Sequence, residues 1–187
     1  MALFPYPGLK GAMFIDRLQR DLAICSATQI TPFLAKEPGH WNVVSIREPI
    51  HAEADLAHAR SLHPMVFEDV LTTQDEPGRG PTAAHLAAFW AYVAGTGREP
   101  LVLQCWAGRS RSTAVALVVI VKDLSEAGLE GAELVQAAVD ILLALRPQAL
   151  PNALVLRLGL EQFLPAPQAE PLSKALMREP RIRKNFG

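Results

Sequence analysis

The sequence predicts an α/β domain, with a central, mostly parallel sheet of four to five strands flanked by helices on both faces. Three observations predict it. Short apolar runs rich in β-branched residues alternate with helix-period segments through the first 125 residues. Only helical patterns follow them. The run Ala114–Val121 is apolar on every side, the mark of a helix buried in the centre of a domain.

The elements follow in order. Residues 1–20 form an N-terminal arm with no clear pattern. Leu22–Ser26 is a short apolar strand, and Ser26–Lys36 holds a short helix with Thr31 as cap and Pro32 at its first position. Trp41–Ile46 is a strand through Val43, Val44 and Ile46. Ala52–Leu62, Ala-rich with mixed charges, reads as a helix, and Met65–Phe67 as a third short strand. Leu71–Pro81 is a polar, Gly- and Pro-containing loop, long enough to cover something. Thr82–Gly95 is a helix with Leu86, Phe89, Trp90 and Val93 at helical spacing. Leu101–Cys105 is a strand, followed by a helix capped by Ser110 or Ser112 and running to about Leu124. Leu129–Leu145 and Asn152–Leu164 are further helices, with 165–187 a tail or a loosely docked helix. The domain itself therefore spans 21–164.

Composition narrows the function. A chain of 187 residues, 50% hydrophobic and 20% charged, supports one buried core and excludes global disorder. A formal net charge of −1 gives no electrostatic reason for nucleic-acid binding and little for a membrane surface. No basic n-region precedes an apolar run, and no run approaches the roughly 20 residues that span a bilayer. A cytoplasmic, reducing setting is expected, in which free thiols survive. The two cysteines form no disulfide framework, and His40, His51, His58 and His63 lack the spacing of metal ligands. Cys25 reads as a small buried apolar side chain, and His85 as a half-exposed helix residue.

Chemistry concentrates in Leu101-Val-Leu-Gln-Cys105-Trp-Ala-Gly-Arg-Ser-Arg111-Ser-Thr. A strand, a tight loop and a helix in succession gather backbone N–H groups around one point, an anion site. A thiol at that point, beside an arginine, is a good nucleophile as its thiolate. An arginine fork grips two phosphate oxygens, Gly108 allows a backbone turn that a Cβ resists, and Ser112 can donate to the sulfur. An acid for the leaving oxygen must come from elsewhere in the chain.

The pattern Cys105-x-x-Gly108-x-x-Arg111-Ser112 resembles the signature loop of the cysteine-dependent protein tyrosine phosphatase superfamily, in its compact dual-specificity branch. It is most similar to small bacterial tyrosine-phosphatase-like proteins that read Cys-Trp-Ala-Gly-x-Ser-Arg-Ser-Thr and carry Phe-x-Asp-[Ile/Val] earlier, here Phe67-Glu68-Asp69-Val70. The resemblance is clearest over residues 63–125 and absent at both ends. It implies a phosphocysteine on Cys105, with Arg111 and the loop N–H groups of Trp106, Ala107, Gly108, Arg109 and Ser110 around the phosphate. It also implies no metal or cofactor, and a phosphorylated protein or small phosphoester as substrate. Asp69 is the expected general acid and Asp75 the second candidate. Gln104 stands where the superfamily usually has histidine, so activity is expected to peak at higher pH. The same residue leaves open a phosphate-binding module that does not hydrolyse. Arg109 stands where tensin-type lipid phosphatases carry lysine, which leaves open a polyanionic phosphoinositide. Arsenate reduction or sulfur transfer would use the same thiolate.

Overall fold

A computed structural model describes residues 3–5, 11–71 and 78–186. The strands are β1 (Leu3–Pro5), β2 (Ala12–Ile15), β3 (Arg20–Ser26), β4 (Asn42–Arg47), β5 (Ser61–Val66) and β6 (Leu101–Cys105). They form one sheet in the order β1-β2-β3-β6-β4-β5. The four strands from β3 to β5 run parallel, and β1 and β2 add antiparallel at one edge. Residues that carried no clear pattern at the N-terminus therefore extend the sheet. Within β5, at the other edge, Pro64 has no N–H to offer a further strand.

Helix α1 (Ala27–Leu34) covers one face, packing Ile30, Phe33 and Leu34 with Trp41, Val43 and Val102. The other face carries α2 (Ala83–Thr96), α3 (Arg111–Glu126), α4 (Gly131–Leu145) and α5 (Ala153–Leu160). Helix α3 is the centre of this layer, and Thr113–Val121 is buried on every side, as its pattern predicts. Every residue of β6 is buried too. A fully buried strand feeding a fully buried helix holds the loop between them from both ends.

Two local readings change. Of the helix expected over Ala52–Leu62, residues 52–60 form none and Ser61 and Leu62 open β5. Asp55 Oδ1 accepts from the Ala57 amide in a local turn, the Asp55 carbonyl accepts from Thr31, and Arg60 N–H bonds the Trp41 carbonyl. These bonds compete with a helical ladder, so composition alone misleads here. Helix α1 starts earlier than expected, with Ser26 and Gln29 forming its capping box, so Thr31 and Pro32 lie inside it. Beyond 164, where a tail or a docked helix was expected, α6 (Ala166–Arg178) and α7 (Pro180–Arg183) bury Ala169, Ser173, Leu176 and Ile182. Among the described residues no helix is long and apolar enough to cross a membrane.

Candidate active site

The loop from Cys105 to Arg111 leaves β6 and enters α3. Its carbonyls are turned outward and held. Trp106 O accepts from the Ala27 amide at 3.1 Å, Ala107 O from Arg146 Nη2 at 2.9 Å, and Arg109 O from the Leu150 amide at 2.7 Å. Ser110 O accepts from Thr113 Oγ1 at 2.8 Å. Among the described residues, no amide of 106–110 donates to a protein acceptor. With four carbonyls tied to the scaffold and no protein acceptor for these N–H groups, the loop keeps donors available for an anion.

Gly108 makes the turn possible. Its φ is +64°, and a Cβ there would lie 2.8 Å from the backbone of Cys25 and Ser26. No side chain fits between the loop and β3.

Cys105 is buried at the foot of the loop, with Sγ 3.1 Å from Ser112 Oγ. Ser112 lies in the first turn of α3 and so serves the sulfur. Ser110 occupies the N-cap position with a non-extended backbone and makes no side-chain cap bond; its hydroxyl donates to Asp69 Oδ1 at 2.8 Å.

Arg111 is only 2% exposed. Nη1 donates to Phe67 O at 2.8 Å and Nη2 to Glu48 Oε1 at 3.0 Å. Nε has no hydrogen-bond partner and lies 3.7 Å from Asp69 Oδ2. Of the five N–H donors of a guanidinium, two are used to aim it.

Asp69 thus meets the loop directly. Its Oδ1 takes both the Ser110 hydroxyl and Asn152 Nδ2, each at 2.8 Å, and Oδ2 faces Arg111. Asn152 is fully buried and does three jobs: it caps α5 through the Val155 amide, and it donates to Asp69 and to Val70 O. Asp75 lies outside the described residues.

The remaining candidates separate from this centre. The Arg109 guanidinium turns to Gln148, Nε donating to its carbonyl at 3.1 Å. Gln104 is buried, and its Oε1 accepts from Ser45 at 2.7 Å. Cys25 pairs in register with Gln104 and Ser26 with Cys105, so the two thiols point to opposite faces of the sheet. Burial pushes the Cys25 thiol up to about 12, leaving it protonated and inert. His85 Nδ1 accepts from the Thr82 amide in the capping box of α2, and its ring centroid lies 5.3 Å from that of Phe67.

Sequence reasoning missed Glu48, Arg146 and the polar contacts of Asn152. None carries a local motif, and each reaches the loop through tertiary packing. The one available signal was Asn152 after Pro151, which marked a helix start but not its bond to Asp69.

The geometry can be set beside solved structures. Human DUSP28 is 20% identical, the match covering 94% of this chain and 99% of that one, with a TM-score of 0.50. The chain has the dual-specificity phosphatase fold. A mouse putative dual specificity phosphatase complexed with zinc tungstate is 19% identical over 94% of this chain and 95% of that one, with a TM-score of 0.48. Tk-PTP in its active form is 14% identical over 83% and 89%, with a TM-score of 0.46. No family model and no curated protein matches the sequence.

Proposed function

We propose that the chain hydrolyses phosphomonoesters through a phosphocysteine formed on Cys105. The observation that carries the reading is the loop itself: four of its carbonyls are held by other elements, the amides of 106–110 have no protein acceptor among the described residues, and the buried Cys105 Sγ lies 3.1 Å from Ser112 Oγ. Arg111 adds a cation with donors to spare.

In the first step the Cys105 thiolate attacks phosphorus and the ester oxygen leaves. The loop N–H groups and Arg111 hold the equatorial oxygens as charge spreads over them. Asp69 gives the leaving oxygen its proton. Oδ1 is already occupied by two donors, so Oδ2 carries that proton. In the second step Asp69 takes a proton from water, the oxygen attacks phosphorus, and the sulfur departs as thiolate. The Ser112 hydroxyl, 3.1 Å away, stabilises that departing charge.

The test uses leaving groups of different basicity. Asp69→Asn is expected to slow hydrolysis of phenyl phosphate by about a hundredfold. It should barely slow para-nitrophenyl phosphate, whose leaving group needs less help. Equal slowing of both substrates would remove Asp69 from the acid role.

A further inference from the structure

Large apolar side chains are exposed on the three segments that supply the site. Trp106, directly after Cys105, is 53% exposed. Ile50, two residues after the Glu48 that grips Arg111, is 84% exposed. Leu71, two residues after Asp69, is also exposed. The Trp106 indole is fixed: the His51 ring stacks on it with centroids 4.0 Å apart and planes within 11°. Arg47 in turn reaches the His51 carbonyl and pairs with Glu53. An exposed tryptophan held in one orientation presents a rigid surface with little entropy to lose on binding.

The cations nearby are already engaged. Arg47 pairs with Glu53, Arg79 with Glu68, and Arg109 and Arg146 donate to the carbonyls of Gln148 and Ala107. Glu48, Glu53, Glu68 and Asp69 stand on the same segments. This rim offers an acidic substrate little, and an apolar one a ready surface.

We propose that Trp106, backed by His51, forms with Ile50 and Leu71 an apolar platform for the part of the substrate beyond the phosphate. Its ligand is an aryl phosphate in a peptide with apolar flanking residues. The proposal rests on the phosphate-cradle reading of residues 105–111 and deepens it.

The test is binding to the full chain carrying Cys105→Ser. The two probes are a phosphotyrosine peptide flanked by Leu and Ile, and the same peptide flanked by Glu. The apolar peptide should bind about tenfold tighter, which is about 1.4 kcal/mol. Adding Ile50→Ser should shrink that ratio, and adding Trp106→Ala should abolish it. With the native thiol, Ile50→Ser should leave vanadate affinity unchanged. Equal binding of the two peptides, or a ratio that neither substitution moves, would overturn the platform. A chain that keeps the peptide preference but turns over no substrate would refute catalysis and leave the platform standing. Loss of both peptide and vanadate binding would overturn both.

Discussion

Two buried arginines lie at opposite ends of α3, and they are solved differently. Arg111 at the N-terminal end is 2% exposed, and Arg20, which meets the C-terminal end, is 3% exposed. Arg111 is aimed by one carboxylate and one carbonyl, with Nε left facing Asp69. Arg20 lies against Asp123, with Nε 3.3 Å from Oδ2, and donates to Gly97 O. Asp123 also pairs with Arg98, which reaches Glu126, and Glu126 bonds Lys122. One arginine is held with donors left over, its Nε facing Asp69. The other is enclosed in a charge cluster far from the loop. Burial alone therefore does not tell the two apart; what each is buried against does.

That contrast can be broken from either end. The largest effect is expected from Arg111→Lys. An ammonium keeps the charge but loses the fork, so kcat should fall by about a thousandfold with the fold retained. A fall of less than tenfold would mean that the guanidinium does not grip the transferring phosphate. Next is Arg20→Met, which leaves Asp123 buried with a single cation. Breaking a buried pair costs about 3–5 kcal/mol, so denaturant unfolding should show that loss. The rate of the remaining folded protein should hold. A parallel collapse of kcat at unchanged stability would give Arg20 a part in the chemistry.

The smallest effect is a pH dependence. Burial raises the Asp123 carboxyl above its ordinary value, against the pull of Arg20 and Arg98. A carboxyl raised on folding binds its proton more readily folded than unfolded. Its contribution to stability is therefore best below the ordinary carboxylate range and is lost as pH rises through the folded value. Relative to Asp123→Asn, the native chain should lose stability as pH rises from about 4 towards 7. A relative gain over that range would reverse the sign of the burial effect.

The same contrast explains what could be read from the sequence. The segment from Leu101 to Leu124 was legible because its signals are local: a fully apolar strand, a glycine at a strained turn and an all-round apolar helix. Residues 51–60 were not, because the Asp55 carbonyl accepts from the Thr31 hydroxyl and the Arg60 amide donates to the Trp41 carbonyl, and these long-range bonds override a helical composition. Asp69 was reached through its motif, but the bonds that hold it, from Ser110 and Asn152, span 41 and 83 residues. Glu48 lies 63 residues before Arg111, and no spacing rule connects them. The loop from Cys105 to Arg111 is written in consecutive residues, and the contacts that hold it are written across the chain.

The most direct measurement of the central claim is acid-quenched mass spectrometry of the chain during turnover of para-nitrophenyl phosphate, with EDTA present. The account predicts a phosphoryl group on Cys105, absent from Cys105→Ser and from Cys25. Steady turnover with no phosphate on Cys105, or undiminished turnover by Cys105→Ser, would contradict it.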